Sequence, residues 1–181
     1  MLRIDLPVEL WDEGKQEFVY LPGQTLEMEH SLASLSKWES KINKPFLSKD
    51  RKTYAESLEY LKCMMLTPNV TDDTYEYLMR RKLSEIDDYI NGSMTATILP
   101  KDWGGKKRGR PEIITAEVIY YWMIAMQIPA EYEHWHLNKL ITLIGVCNVK
   151  NSPNKKRSSD EILRDQMALN EERCKQLNTK G

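Results

Sequence analysis

The chain has 181 residues, 41% of them hydrophobic and 29% charged, which suffices for one globular domain with an appendage and falls short of two full-sized domains. Its 26 basic and 27 acidic side chains leave a net charge of −1, which argues against a polypeptide devoted to coating nucleic acid or an anionic membrane. The balance is uneven: residues 1–100 carry 12 basic and 17 acidic side chains, and residues 101–181 carry 14 and 10.

At the N-terminus Leu2, Ile4 and Leu6 alternate with polar residues, and Glu17–Leu21 forms a second β-prone run. The glycine-containing connection Asp12–Lys15 between the runs predicts a hairpin, closed by a turn at Pro22-Gly23, so residues 1–25 read as a small hairpin packed on a helical domain. From Glu27 the period becomes helical. Leu32, Leu35, Trp38 and Ile42 share one stripe, and Lys44-Pro45 ends that helix. Ser48–Asp50 offer caps for a second helix whose face is Tyr54, Leu58, Leu61 and Met65. Two short helices are predicted next. One is capped at Thr71–Asp73 with Tyr75, Leu78 and Met79 as its face, and the other presents Ile86, Tyr89 and Ile90 before a left-handed stop at Asn91-Gly92.

Residues 100–111, with three glycines and five cations and no hydrophobic period, read as a basic loop. Beyond it Thr115 can cap a helix whose residues Val118–Met126 are apolar or aromatic on every side, the pattern of a helix central in a bundle. Pro129 stops it and is placed to open a further helix reaching about Val149, with Leu137, Leu140, Ile141, Ile144 and Cys147 on one face. Lys150–Arg157 reads as a linker, followed by a charged helix with a capping-box spacing at Ser158 and Glu161 and thinly spread Ile162, Leu163, Met167, Leu169 and Leu177. The predicted architecture is therefore mainly α: an N-terminal hairpin over 1–25, a compact helical domain over 26–150, and a linker-tethered helix over 151–181.

Chemistry-bearing motifs are sparse. The three cysteines, Cys63, Cys147 and Cys174, are widely separated without a CxxC pair, a usage that suits a reducing, cytoplasmic setting. Neither a signal-peptide run nor an apolar stretch of the ~20 residues needed to span a bilayer is seen, so no membrane association is expected. Glu131, Glu133, His134 and His136 look like a metal cluster, but residues two apart on a helix point in nearly opposite directions, so no metal or other cofactor is expected. The pairs Asp72-Asp73 and Asp87-Asp88 suit capping and solvation. No nucleophile elbow, phosphate-cradling loop or paired-carboxylate motif occurs, and His30 is remote from every cysteine, so the chain reads as non-enzymatic. Lys106, Lys107, Arg108 and Arg110, around Arg108-Gly109-Arg110-Pro111, have the form of an AT-hook core that would lie in a narrow minor groove. There is one copy, directly followed by Glu112, and a solvated loop is the alternative. Met64, Met65, Met79, Met94, Met123 and Met126 belong to a set of nine methionines that fill core gaps or line an adaptable groove.

Several longer phrases carry a resemblance: Leu26–Lys41, Lys44-Pro45-Phe46-Leu47, Leu66–Val70, Met94–Thr97, Ile114–Met123 and Trp135–Leu140. Together they resemble the tail assembly chaperones of long-tailed bacteriophages and prophages, over nearly the whole chain. The resemblance implies a protein of the host bacterial cytoplasm that binds the tape measure protein, helps tail-tube subunits polymerise around it, and is usually not retained in the virion. It implies no site residue by residue. A tape measure protein is a long helical chain exposing apolar faces, so its holder needs an apolar groove. The candidate groove residues by spacing are Leu32, Leu35, Trp38, Tyr54, Leu58, Leu61 and Met65, with the tail-tube protein or a second copy of the chain as further candidate partners. The alternatives are a permanent tail or connector accessory and, less favoured, a DNA-binding protein using the 106–111 loop.

Overall fold

A computed structural model of the chain describes residues 1–12, 16–97, 113–151, 163 and 167. It divides into two compact units, Met1–Val149 and Lys150–Gly181. The first is mainly helical with an N-terminal antiparallel hairpin, as the sequence predicts.

The strand pairing differs from the expected one. Strand β1 (Leu2–Asp5) pairs with β4 (Thr25–Met28), Ile4 opposite Leu26, while β2 (Glu9–Asp12) pairs with β3 (Glu17–Tyr20), Trp11 opposite Phe18. The Glu17–Tyr20 run therefore finds its partner in Glu9–Asp12 and leaves the Leu2–Asp5 run to a strand that the helical period from Glu27 conceals. One long ribbon results, interrupted where Pro7 and Pro22 lack the N–H a ladder requires. Leu6 N–H donates to Gln24 O and Leu21 N–H to Val8 O, both at 3.0 Å, carrying the two strands across the break. Gly23 sits there at φ +57°, and a Cβ on it would lie 2.7 Å from Val8 Cγ2, so glycine meets both a conformational and a steric requirement.

Strand β4 leads directly into the core, with Leu26 and Met28 fully buried. Helix α1 (Leu32–Ile42) follows, its first turn capped by the Ser31 hydroxyl, which accepts from Ser34 N–H, and its end by Asn43 in the left-handed conformation. Helix α2 (Tyr54–Met64) is capped by Thr53, later than the Ser48–Asp50 expectation, because Thr53 and Glu56 complete a reciprocal capping box. Trp38, on α1, donates from Nε1 to Glu56 O at 2.8 Å and so ties the two helices.

The two short helices expected over 71–90 are one uninterrupted run: α3 (Asp72–Tyr77), a π turn (Leu78–Lys82) and α4 (Leu83–Asn91). The extra residue of a π turn re-aims the faces before and after it without breaking the helix. Thr71 caps the start as predicted, but Gly92 closes the end at φ −58°, so there is no left-handed stop.

Helix α5 (Ala116–Ala125) is not central. Ala116, Ile119 and Met123 are buried, whereas Tyr121 and Ile124 are 67% and 76% exposed. Apolar character on every side specifies that burial is tolerated, and here neighbouring elements cover only one side. Its onset is fixed from outside: the buried Glu39 of α1 accepts from Ala116 N–H through Oε2 and from Phe46 N–H through Oε1, each at 2.7 Å. The carboxylate thus occupies the positive end of α5. Pro129 precedes a 3₁₀ turn (Ala130–His134) rather than opening the last helix, and α6 (Leu137–Asn151) starts later, where Leu137 N–H donates to His30 O at 2.7 Å. Of the expected C-terminal helix, Leu163 and Met167 are helical and exposed. The basic loop and the remainder of the C-terminal segment lie outside the described residues.

Candidate functional site

A cavity of about 680 Å³ opens between two helical walls of the first unit. The pre-α2 loop and α2 supply one wall through Phe46, Leu47, Lys52, Tyr54, Leu61 and Met64. The π turn and α4 supply the opposite wall through Met79, Leu83, Ile86, Asp87 and Ile90. The spacings explain why these side chains converge. Tyr54, Ser57, Leu61 and Met64 are three, four and three apart on α2, and Met79, Leu83, Ile86 and Ile90 are four, three and four apart on the other wall, so each set forms a single stripe. Met64, Leu61, Met79 and Ile86 are buried and make the floor, while Leu47, Tyr54 and Leu83, 39%, 59% and 39% exposed, make an apolar rim. Leu47, Tyr54 and Leu83 thus leave apolar surface facing solvent beside an apolar floor.

The deep end is polar. His30 Nδ1 and the Tyr60 hydroxyl are 2.5 Å apart, and both side chains are buried. Burial, and then the neighbouring His136, lowers the His30 pKa to about 3, and burial holds the Tyr60 phenol far above its ordinary range. Both rings are therefore neutral, and either the phenol or the imidazole N–H supplies the proton of this bond. His136 accepts the Asn138 N–H through Nδ1 at 3.3 Å, so its Nε2 carries the proton and donates to Tyr89 O at 3.0 Å. Burial lowers the pKa of this imidazole as well. Tyr89 in turn donates to Glu29 Oε1 at 2.5 Å. Asn138 closes the far end of the cavity by donating its amide to Ile90 O and Gly92 O at 2.9 and 2.8 Å, which satisfies carbonyls left over at the end of α4.

This network pairs its buried polar groups with one another. A general base works best with a pKa near the working pH, and an imidazole held at about 3 is far below it. Among the described residues no group of three or more His, Cys, Asp or Glu converges on a common point. Glu133 accepts from the Tyr120 hydroxyl at 2.6 Å and lies 3.5 Å from the exposed His134, while His136 is buried against Tyr89. No helix of the described residues is long and apolar enough to cross a membrane. Neither a family model, nor a curated protein, nor a solved structure matches the chain.

The residues expected to form a partner groove separate into two groups. Leu32 and Leu35 are fully buried and Trp38 is 1% exposed, so the α1 stripe is internal and offers no surface. The reason is that α2, α5 and the 3₁₀ turn enclose α1. Leu58 and Met65 are half-buried against the same core. Only Tyr54 and Leu61 line the cavity. Lys106, Lys107, Arg108 and Arg110 lie outside the described residues. The wall formed by Met79, Leu83, Ile86 and Ile90 escapes a reading that divides the stretch into two helices at the residues of the π turn. Taken as one helix, the stretch shows it through its four-three-four spacing.

Proposed function

We propose that this chain is a helix-holding tail assembly chaperone of a long-tailed phage or prophage. It acts without chemistry of its own, receiving amphipathic segments of the tape measure protein in the α2/α4 groove within the host bacterial cytoplasm, so that tail-tube subunits can polymerise around that protein. The observation that carries the reading is the apolar groove itself: two helical stripes left apart, with a floor of Leu61, Met64, Met79 and Ile86 and a rim of Leu47, Tyr54 and Leu83 facing solvent. Helix-in-groove recognition needs such a surface, and methionine in its floor accommodates varied apolar side chains. The assignment to phage tails is supported by the resemblance of the phrases at Leu26–Lys41, Leu66–Val70 and Ile114–Met123.

Co-expression with the tape measure protein encoded nearby, followed by pull-down, tests this. The two should co-purify, the tape measure protein should aggregate when expressed alone, and Leu83→Glu should release it. A tape measure protein that stays soluble and unbound without this chain contradicts the proposal. Stoichiometric recovery of the chain from purified particles by mass spectrometry would favour a permanent tail component instead.

A further inference from the structure

Opposite charges stand on opposite walls of the groove. Lys52, half-buried, donates from Nζ to Phe46 O at 2.8 Å and lies 4.1 Å from the centre of the Phe46 ring. Asp87, exposed, lines the same cavity from α4. Among the described residues neither side chain has an ion-pair partner, although several carboxylates and ammonium groups elsewhere on the first unit are paired. Burial pushes the Lys52 ammonium down against a smaller upward pull from Glu56, while burial and then Asp88 push the Asp87 carboxyl up. An opposite charge placed beside either group would offset its desolvation.

The same cavity presents exposed apolar side chains at Leu47, Tyr54 and Leu83. An occupant must cover these and supply a charge to each of Lys52 and Asp87. Among the described residues no strand lines the cavity, so an extended peptide finds no sheet edge to join there. A helix lying between two helical walls meets both demands, because its apolar stripe faces down while residues on its two flanks reach sideways. Reversing such a helix in the groove exchanges its flanks, so the flanking charges also fix its direction.

Resting on the helix-holding reading, we propose that the groove takes an amphipathic helix bearing an acidic residue on one flank, paired with Lys52, and a basic residue on the other, paired with Asp87. The pairs select direction and register, and burial of the exposed Leu47, Tyr54 and Leu83 supplies the apolar attraction.

The full chain can be titrated by fluorescence anisotropy with three synthetic helical peptides of about 18 residues, or five turns. All share one Leu stripe, and their flanks carry Glu and Lys, Glu and Glu, or Lys and Lys. The wild type should bind the Glu/Lys peptide about ten-fold more tightly than either of the others. Lys52→Glu should invert the preference toward Lys/Lys, and Asp87→Lys toward Glu/Glu. A merely structural role for these residues would weaken all three peptides alike. Should a reversal variant fail to fold, Lys52→Ala and Asp87→Ala should bind all peptides with the charge preference reduced.

Equal binding of the three peptides by the wild type, or weakening without inversion, overturns the proposal. So does a concentration-dependent dimer that Leu83→Glu dissolves while no peptide binds, since the groove then belongs to a second copy. A chain that shows the charge preference but retains no tape measure protein keeps this inference and loses the phage assignment. A chain that retains the tape measure protein without any charge preference loses this inference alone.

Discussion

Helices α1 and α5 differ in how completely they bury their apolar residues. The first has a narrow apolar stripe, and its Leu32, Leu35 and Trp38 are enclosed to the last few per cent while Lys37, Ser40 and Lys41 face solvent. The second is apolar on every side, yet Tyr121 and Ile124 face solvent. The contrast teaches that a hydrophobic pattern states which faces a helix can bury, whereas the neighbours that arrive decide which it does bury. Helix α1 is met by α2, α5 and the 3₁₀ turn together, so its stripe is saturated. Helix α5 is held along one side and by its first turn.

The largest effect that sharpens this comparison is at Trp38. Trp38→Ala should cost about 4 kcal/mol in urea unfolding, because a fully packed indole is removed and the Glu56 carbonyl loses its donor. A loss below about 1 kcal/mol would show the α1 stripe to be loosely packed. Next is the link between the two helices. Glu39→Ala strips two buried backbone N–H groups of their acceptor and should cost about 3 kcal/mol, while Glu39→Gln, which keeps one oxygen, should cost about half as much. Equal losses in the two variants would mean that the negative charge, and not the paired acceptors, holds α5.

Acid should loosen the polar end beside α1. Folding lowers the His30 pKa from its ordinary 6.5 to about 3, so between those values the unfolded chain takes up a proton that the folded chain refuses. Stability is therefore complete above about pH 6.5 and is lost as the pH falls toward about 3, by at most about 1.4 kcal/mol per pH unit for this imidazole. From about pH 6.5 to about pH 5 that is a loss of about 2 kcal/mol, and His30→Gln should flatten the slope. An unchanged slope would place the proton uptake elsewhere, with His136 the next candidate since burial lowers its pKa also. The smallest effect belongs to α5: Tyr121→Ala and Ile124→Ser should each change stability by about 0.5 kcal/mol or less. A loss of about 2 kcal/mol would show that this side is covered.

The parts of the fold that rest on local physics were legible in the sequence. The stripe at Leu32, Leu35 and Trp38, the Thr71 cap and the face at Tyr75, Leu78 and Met79 all follow from spacing and hydrogen-bonding side chains, which a short run of residues displays by itself. What escaped depends on partners far apart in the chain. Glu27 and Met28 sit in a strand because β1 lies beside them, against the helical period of the residues after them. The groove was half visible, through Tyr54 and Leu61. Its second wall is missed when residues 71–90 are divided into two helices, because the four-three-four spacing of Met79, Leu83, Ile86 and Ile90 runs across the division. The carboxylate of Glu39 meets Ala116 across 77 positions, and no pattern within either segment announces it.

That bond has an evolutionary corollary. Because the beginning of α5 is pinned by a side chain from a distant helix, its position owes little to the stretch immediately upstream. Loop-closure cost grows only with the logarithm of length, so insertions or deletions before Ile113 can accumulate between relatives without shifting α5. Glu39 should therefore persist between relatives, whereas residue 116 contributes only its backbone N–H to the bond.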